Sequence, residues 1–214
     1  MTDRGTGPTG TLPPQVYLLD DEALVLRTLG RVLRRAGYRV ATFESPGRFL
    51  AEAALTPPCC LVLDVHMPEM DGLEIQGKLA ATENPPAMIF ISGGSDIPTS
   101  VRVMKAGAVD FLPKPFASRE LLAAVASALQ HAERRAQALD GAREARARLA
   151  RLTPRELEVC RAVARGLKSK EIAEELGAAV KTVNVHRSRI LGKLGISSVA
   201  ALVKLLDRAE LAQG

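Results

Sequence analysis

The sequence predicts an α/β fold with a doubly wound, five-stranded parallel sheet, followed by a helical linker and an all-α domain of four helices. Between residues 16 and 116, short apolar runs alternate with stretches of helical periodicity. Such alternation favours parallel strands joined by right-handed helical crossovers. After residue 152, four short helical segments are separated by glycines. At 214 residues, the chain is long enough for two domains.

The first domain contains five predicted strand–helix units. The strand candidates are Val16–Leu19, Arg39–Phe43, Cys60–Leu63, Met88–Ile91 and Asp110–Leu112. The helix candidates between them are Ala23–Ala36, Pro46–Leu55, Gly72–Ala81 and Thr99–Ala106. A fifth helix is expected to follow Ser118 as its N-cap, with Glu120 in its first turn. The third strand is a continuous Val/Leu run, which is typical of a strand buried on both faces of a parallel sheet.

Residues 131–150 are predicted to form a helical linker between the domains. Apolar residues recur at alternating steps of three and four, which is the spacing of a heptad seam. The seam positions are Leu122, Val125, Leu129, Ala132, Ala136 and Leu139. The seam stops at Arg143 and Arg146, and Gly141 weakens the helix by about 1 kcal/mol. We expect the first three positions to pack on the sheet, whereas residues 132–139 either pair with a second chain or serve only as a linker.

A helix-turn-helix domain is predicted for residues 151–214. Thr153 fits the N-cap, Pro154 the first helical position and Glu156 the capping-box position of its first helix. The helix candidates are Pro154–Arg165, Ser169–Leu176, Lys181–Leu194 and Ser198–Ala209. Only the short, glycine-containing segment Gly177–Val180 separates the second helix from the third, which is the layout of a helix-turn-helix.

Charge is distributed unevenly along the chain. Residues 1–116 carry 11 Lys and Arg against 13 Asp and Glu, whereas residues 151–214 carry 12 against 7. The basic second part suggests an anionic partner, although a solvated basic face would give the same charge. Cys59, Cys60 and Cys160 lack the spacing of a metal site or a CxxC motif. We therefore expect buried thiols in a reducing cytosol and no zinc or redox role.

Residues 1–14 are rich in Thr, Gly and Pro. They are expected to form a disordered tail without a secretory signal. The sequence contains no run of about 18 apolar residues, so a membrane partner is not expected. These features predict a cytoplasmic protein.

Polar side chains follow four of the predicted strands. Asp20 and Asp21 follow the first strand, Asp64 the third, Ser92 the fourth and Lys114 the fifth. Because the carboxyl ends of parallel strands share one edge of a sheet, we expect these groups to meet in one crevice. A carboxylate there could be a nucleophile toward a phosphoryl group, with Mg²⁺ and an ammonium neutralising charge. Each residue alone has an ordinary alternative as a helix cap, a turn residue or a surface lysine.

Segment 14–130 resembles the receiver domain of two-component response regulators, a flavodoxin-like fold, and we place the domain at residues 15–130. The matching residues are Asp20, Asp21, Asp64, Met67-Pro68, Asp71-Gly72, Ser92 and Lys114-Pro115. The resemblance implies that Asp64 is the phospho-acceptor, that Lys114 assists it and that a histidine kinase is the donor. It also implies that Ser92 binds the phosphate and that Phe111 changes rotamer with it. The implied Mg²⁺ ligands are Asp21, Asp64 and the main-chain carbonyl of His66, with Asp20 acting through water.

The third helix of the second domain is the candidate DNA-recognition helix, since it carries four Lys or Arg residues and no acidic residue. Val183, Ile190 and Leu194 recur at helical spacing and are expected to face the core, with Arg187 sharing part of that side. Cations attract phosphates, and short polar or apolar side chains can touch bases in the major groove. The predicted contact residues are Lys181, Thr182, Asn184, Val185, His186, Arg189 and Lys193. A basic solvent-exposed face is the alternative.

Residues 150–210 resemble the LuxR-type helix-turn-helix. The matching segments are Leu152–Glu156, Gly166–Ala173, Lys181–Arg187 and Lys193–Gly195. With the receiver resemblance, the whole chain is similar to the NarL/FixJ family of transcriptional regulators, in its FixJ-like branch. The implied partners are a sensor histidine kinase, double-stranded DNA, a second copy of the chain after phosphorylation, and RNA polymerase.

The leading hypothesis is a phosphorylation-dependent, DNA-binding transcriptional response regulator rather than an enzyme. Phosphorylation of Asp64 would add charge at one edge of the sheet and bias a two-state element that includes Ser92, Phe111 and the fourth and fifth helices. An aspartyl-phosphate phosphatase or phosphotransferase is one alternative, although its best-known form has a second Asp where this chain has His66. A regulator that binds DNA independently of phosphorylation is the other.

Overall fold

The structure is a computed structural model that describes residues 13–94 and 97–210. The chain divides into two compact units, Met1–Ala136 and Gln137–Gly214. The parallel sheet belongs to the first unit and the helix-turn-helix to the second. Except for Pro13 and Pro14, the tail predicted at residues 1–14 lies outside the described residues.

Within the described residues, five parallel strands form one sheet in the order β2-β1-β3-β4-β5. The strands are β1 (Gln15–Leu19), β2 (Arg39–Phe43), β3 (Cys59–Asp64), β4 (Ala87–Ser92) and β5 (Asp110–Pro113). β2 has the predicted bounds, and the other four strands are longer than predicted by one or two residues. Because β1 lies between β2 and β3, the chain reverses its direction of travel across the sheet after β2. This topological switch point is where open α/β sheets place their sites.

Helices cover both faces of the sheet. They are α1 (Ala23–Arg35), α2 (Pro46–Glu52), α3 (Gly72–Ala80), α4 (Ile97–Lys105) and α5 (Ser118–Leu149). α1 and the first part of α5 pack on one face, where Leu33 and Val125 are buried. α2, α3 and α4 pack on the other face, where Phe49, Ile75 and Val103 are buried. Alternate strand residues supply the two apolar layers, as the two-residue period of a strand requires.

Two helix boundaries of this unit differ from the predicted ones by more than one residue. α2 ends at Glu52 rather than Leu55, because Ala53 is extended with ψ at 110° and accepts a hydrogen bond from the Leu55 N–H. α4 begins at Ile97 rather than Thr99. Pro98 therefore occupies its first turn, where the missing proline N–H removes no intrahelical hydrogen bond.

The start of α5 differs from the predicted arrangement. Ser118 is the first residue of the helix, so its prediction as the N-cap was wrong. Ala117 precedes the helix, and its N–H donates to Glu120 Oε2 at 2.9 Å. The first turn is thus stabilised by the Glu120 carboxylate reaching back rather than by the Ser118 hydroxyl.

α5 is a single helix of 32 residues. Val125 and Leu129 are buried against the sheet and Leu122 is partly buried there, as predicted. Gly141 does not interrupt the helix. Ala142 and Ala145, which follow Gly141, are both 1% exposed. Tertiary packing beside the glycine therefore outweighs its low helix propensity.

The second unit contains the four predicted helices after α5. They are α6 (Pro154–Ala164), α7 (Ser169–Glu175), α8 (Val180–Leu194) and α9 (Val199–Glu210). The predicted capping box is present, since Thr153 Oγ1 accepts the Glu156 N–H and Glu156 Oε2 accepts the Thr153 N–H. The four helices share one apolar core, and Ala145 and Leu149 of α5 pack against it. The last turns of α5 therefore pack with the helices of the second unit.

The cysteines are buried free thiols, as predicted. Burial raises the pKa of Cys59 and of Cys160 to about 11, which suppresses the reactive thiolate. In the part of the chain that the structure describes, no helix combines the length and apolar character needed to cross a membrane.

Candidate functional site

One ammonium group lies between two buried carboxylates at the carboxyl edge of the sheet. Lys114 Nζ is 2.9 Å from Asp64 Oδ1 and 3.0 Å from Asp20 Oδ2. Asp20 is 2% exposed and Asp64 is 7% exposed. The more exposed Glu22 places a carboxylate oxygen 4.0 Å from the same nitrogen. The fold thus brings together side chains that follow or end β1, β3 and β5, which is the juxtaposition expected from the sequence.

Strand pairing explains this juxtaposition. β1 and β3 are neighbours, with Leu19 paired in register with Leu63, so the residues that follow each of them lie side by side. At the end of β5, the Lys114 N–H donates to the Ser92 carbonyl at 2.7 Å. The long Lys114 side chain then extends past the end of β4 to the two carboxylates. The Lys114–Pro115 peptide bond is cis.

The loop after β3 is closely packed against Asp64. Asp64 Oδ2 accepts the His66 N–H at 2.7 Å, and the Gly72 N–H donates to the Val65 carbonyl at 2.9 Å. A Cβ atom on Gly72 would lie 2.8 Å from the main-chain oxygen of Asp64 and 2.9 Å from Phe90 Cε1. Glycine therefore allows α3 to begin directly against the strand end that carries Asp64.

Burial and hydrogen bonding shift the pKa values of Asp20 and Lys114 in opposite directions. Burial raises the pKa of Asp20, against the hydrogen bonds that its carboxylate accepts from the Glu22 N–H and from Lys114. Burial also disfavours the Lys114 ammonium, but hydrogen bonds to Asp64 and Asp20 outweigh it and raise the pKa of Lys114. One cation beside several carboxylates leaves the crevice with excess negative charge when the carboxyl groups are ionised. An added cation would be favoured there.

The donor set at this edge fits Mg²⁺, although the predicted ligands do not form one cluster. Among the described residues, no three His, Cys, Asp or Glu side chains are grouped as a metal site. Asp21 and His66 are both exposed, beside Asp20 and Asp64 respectively. The Asp20 and Asp64 carboxylates contact one nitrogen and are therefore within reach of one small cation. Mg²⁺ commonly takes only one or two protein carboxylates and completes its octahedron with water and phosphate oxygens.

Ser92 and Phe111 lie on the strands next to β3. Ser92 is 1% exposed at the end of β4, one residue beyond Ile91, the register partner of Asp64. Its hydroxyl makes long contacts to the Gly94 N–H at 3.4 Å and to the Gly94 carbonyl at 3.5 Å. Phe111 on β5 is partly buried and packs against the cluster beneath α2, α3 and α4. Ser92 is thus at the carboxyl edge of the sheet, and Phe111 is two residues before the end of its strand.

The outer face of α8 carries five of the predicted DNA-contact residues. Those five are Lys181, Thr182, Asn184, Val185 and Arg189, and all are exposed. The predicted inner side is confirmed, because Val183, Ile190 and Leu194 are buried in the core. Arg187 is half-buried, with Nη1 3.5 Å from Ser169 Oγ. α8 therefore presents cations, an amide, a hydroxyl and one apolar side chain on a single surface.

Two other predicted DNA-contact residues have different surroundings. His186 is half-buried, and its Nδ1 has no hydrogen-bond partner among the described residues. Lys193 Nζ lies 2.6 Å from Glu156 Oε2. The hydrogen bond from Lys193 is the largest reason why the pKa of Glu156 is lowered to about 2, followed by the one from the Thr153 N–H. Lys193 thus joins the C-terminal end of α8 to the N-terminal end of α6.

Comparison with known proteins identifies both units. Residues 16–126 match the response regulator receiver domain, and residues 150–206 match the luxR family of bacterial regulatory proteins. The transcriptional regulatory protein FixJ of Bradyrhizobium diazoefficiens is 36% identical over 199 residues, which cover 93% of this chain and 97% of FixJ. The chain belongs to the NarL/FixJ family of response regulators. This response regulator therefore combines a receiver domain with a LuxR-type DNA-binding domain.

Further comparisons of sequence and structure agree with this family assignment. The response regulator protein TmoT of Ectopseudomonas mendocina is 40% identical over 193 residues, covering 90% of this chain and 88% of TmoT. The structure of the response regulator StyR is 42% identical, covers 92% of this chain and 99% of StyR, and has a TM-score of 0.77. Full-length FixJ from B. japonicum is 35% identical, with coverages of 94% and 99% and a TM-score of 0.58.

The family assignment settles the broad function of the chain. It is a DNA-binding transcriptional response regulator, a class whose members are generally not enzymes. A receiver domain implies a histidine kinase as partner, and a LuxR-type domain implies DNA.

Several contacts of this response regulator were not foreseen from its sequence. The ion pair between Glu156 and Lys193 spans 37 positions, and Arg148 of α5 donates to the main-chain oxygen of Leu194 at the end of α8. The capping-box pattern identifies Glu156 as a helix N-terminal acceptor but gives no sign of its second partner. Charged residues such as Arg148 have no distinguishing spacing, because most are solvated.

Proposed function

We propose that Asp64 accepts a phosphoryl group from a histidine kinase and that the phosphorylated chain binds promoter DNA as a dimer. The observation that supports this most strongly is the Lys114 ammonium, which contacts both Asp64 and Asp20 at the carboxyl edge of the sheet. Phosphoryl transfer depends mainly on positioning and on neutralising charge around the transferred group. A buried carboxylate next to a fixed cation meets both requirements.

The transfer moves a phosphoryl group from an imidazole nitrogen of the kinase to a carboxylate oxygen of Asp64. The N–P bond breaks and its electron pair stays on the imidazole, while a lone pair of the carboxylate forms the new O–P bond. Lys114, 2.9 Å from Asp64 Oδ1, neutralises charge on the phosphoryl oxygens. The His66 N–H, which donates to Asp64 Oδ2 at 2.7 Å, orients the carboxylate for the reaction.

Mg²⁺ is the cofactor of this proposal. Asp64 and Asp20 would hold it, and the family resemblance adds Asp21 and the main-chain carbonyl of His66. When bound, it supplies positive charge beside the phosphoryl oxygens. The chain's own contribution is a crevice with excess carboxylate charge and a single ammonium. Removing divalent cations with EDTA should therefore stop phosphorylation of Asp64, and adding Mg²⁺ back should restore it.

The phosphate adds a charge of about −2 to the carboxyl edge. Ser92 makes only long contacts to Gly94 through its hydroxyl, which leaves that hydroxyl suited to turn toward the phosphate. Phe111 then changes rotamer with it. α4, which begins shortly after Gly94, exposes the apolar side chains Val101 and Met104 at 45% and 44%. A second copy of the chain would bury such a surface.

The dimer would present two α8 helices to DNA. Helix-turn-helix dimers place their recognition helices in major grooves about 34 Å apart, one turn of the duplex. The exposed face of α8 would contact phosphates through Lys181 and Arg189 and base edges through Asn184 and Thr182. RNA polymerase is the further partner expected of a regulator bound at a promoter.

Acetyl phosphate and Mg²⁺ test the acceptor assignment. Intact-mass analysis should show one added phosphoryl group on the wild-type chain and none on Asp64→Asn. Glu69→Gln is the matched control, because Glu69 is an exposed carboxylate in the loop after Asp64 and its loss should leave phosphorylation unchanged. An equal mass gain in Asp64→Asn would contradict the assignment. Sustained turnover of p-nitrophenyl phosphate would instead favour the alternative of a phosphatase.

A further inference from the structure

Arginine side chains donate hydrogen bonds to main-chain carbonyls at the C-terminal ends of three helices in the second unit. The pairs are Arg155 with Leu176 after α7, Arg148 with Leu194 of α8, and Arg146 with Ala209 of α9. The last carbonyls of a helix have no partner within the helix. A cationic donor there is also favoured by the helix dipole. Two of these arginines, Arg146 and Arg148, come from the last turns of α5.

The contact from Arg148 adds a side-chain hydrogen bond to the end of α8. The Ile196 N–H donates to the Leu191 carbonyl at 3.1 Å, and the Gly195 N–H donates to the Gly192 carbonyl at 3.3 Å. The Leu194 carbonyl instead accepts from Arg148. The Arg148 side chain is 30% exposed and lies 4.0 Å from Glu144 on its own helix. Its guanidinium is therefore directed toward the end of α8, with the exposed Glu144 carboxylate at the limit of ion-pair distance.

The end of α8 that is fixed in this way is opposite to the end that carries most of the predicted DNA contacts. Lys193 adds a second attachment there through Glu156. The 15 residues of α8 form a helix about 22 Å long. A tilt of about 3° at its C-terminal end would move its N-terminal end by about 1 Å, enough to break a hydrogen bond to a base edge.

We propose that Arg148 is a positioning residue for DNA recognition: it ties the C-terminal end of α8 to the linker helix α5, so that α5 sets the angle at which α8 meets the DNA. The proposal rests on α8 being the recognition helix and does not depend on phosphorylation of Asp64. It places the functional start of the DNA-binding domain within α5, before the predicted boundary at residue 151.

A positioning role differs measurably from a phosphate contact. An arginine that binds a phosphate contributes about 0.9 to the slope of log affinity against log salt, equally for all sequences. An arginine that only orients α8 contributes nothing to this slope. Its loss weakens binding to the preferred sequence but not to unrelated DNA, so the ratio of the two affinities falls.

The experiment compares the full-length wild-type chain with Arg148→Ala and with the matched control Arg151→Ala, which removes the same charge from an exposed position. The probes are a duplex selected from a random pool by the wild-type chain and a duplex of unrelated sequence. Arg148→Ala should lose about tenfold in affinity for the selected duplex, with no change for the unrelated duplex or in the salt slope. Arg148→Lys, which can still donate to Leu194, should recover most of the loss. Arg151→Ala should leave the affinity ratio unchanged.

Three results would overturn the proposal. They are a ratio of the two DNA affinities for Arg148→Ala that equals the ratio for Arg151→Ala, a salt slope that Arg148→Ala reduces by about one, and equal losses of affinity for the selected and the unrelated duplex. Circular dichroism checks folding. If Arg148→Ala does not fold, Arg148→Gln takes its place, and a wild-type ratio in that folded variant overturns the proposal. Asn184→Ala tests separately whether α8 is the recognition helix. An unchanged affinity of this variant for the selected duplex would contradict that assignment, independently of the role of Arg148.

Discussion

At Gly72, the packing between α3 and the end of β3 leaves no room for a side chain. Gly72→Ala should lower the free energy of unfolding by about 1–3 kcal/mol, because the new Cβ would lie 2.8 Å from the main-chain oxygen of Asp64. Gly77→Ala on the same helix is the matched control, since its Cβ would meet no described atom within 4 Å. It should raise stability by up to about 1 kcal/mol. Urea denaturation measures both, and a Gly72→Ala chain as stable as the wild type would contradict the packing argument.

The Glu156 carboxylate makes the DNA-binding unit sensitive to acid. The Lys193 hydrogen bond contributes most to lowering the pKa of Glu156 from 4.5 to about 2, so the unfolded chain binds a proton at higher pH than the folded one. The stabilisation is therefore fully present above about pH 4.5 and is lost as the pH falls toward 2. Amide hydrogen exchange in α6 and α8 should show this loss in the wild type and a weaker pH dependence in Glu156→Gln.

Glu158→Gln is the control for that measurement. Glu158 pairs with Arg155 at 2.8 Å, but the side chains are 52% and 41% exposed, and exposed pairs contribute little to stability. The pH profile of Glu158→Gln should therefore follow that of the wild type. If Glu156→Gln also followed it, the pair that the buried Glu156 carboxylate forms with Lys193 would not be the source of the acid sensitivity.

The sequence predicted which residues stand at the carboxyl edge but not how each side chain is directed there. Asp20, Asp64 and Lys114 converge because parallel strands end at one edge, and this follows from the strand pattern alone. Asp21 is adjacent to Asp20 in the chain yet exposed, and no sequence pattern distinguishes the two. The Lys193 contact to Glu156 was missed for a related reason, since it depends on the packing of two helices that lie far apart in sequence.

At the scale of secondary structure, α5 shows how tertiary packing overrides local propensity. Gly141→Ala should raise the thermal stability of the chain by the equivalent of up to about 1 kcal/mol, because a Cβ there would meet no described atom within 4 Å. Ala147→Gly is the reciprocal variant at an exposed position of the same helix and should lower stability by a similar amount. Thermal unfolding followed by far-ultraviolet circular dichroism measures both. Destabilisation by Gly141→Ala would mean that α5 requires a residue without a side chain at this position.

Helix and strand identities followed from periodicity, whereas several boundaries did not. The strands were recognised because apolar runs are bounded by proline, glycine and acidic residues. Ser118 was mistaken for an N-cap because a serine followed by Glu120 resembles a capping pattern, but the Glu120 carboxylate caps Ala117 instead. The end of α2 depends on the extended conformation of Ala53, which its alanine-rich surroundings do not signal.

At the scale of the whole molecule, the order of the two units and their charges match the family function. The receiver domain brings the Asp20 and Asp64 carboxylates together at the carboxyl edge of its sheet, and residues 151–214 carry an excess of Lys and Arg, which suits a DNA-binding domain. The sequence alone supported this assignment because the motifs of both domains occur in the right order. The pairing of α5 with a second chain stays a prediction, as do the Mg²⁺ ligands and the DNA-contact residues.

The central claim is that phosphorylation of Asp64 controls DNA binding, and a direct measurement compares DNA affinity with and without acetyl phosphate. The probe is a duplex selected by the phosphorylated wild-type chain, and the proteins are the wild type and Asp64→Asn. The wild type should bind about tenfold or more tightly after phosphorylation, and Asp64→Asn should show no gain. Equal affinity of both proteins under both conditions would contradict the account and indicate a regulator that binds DNA without regard to its receiver domain.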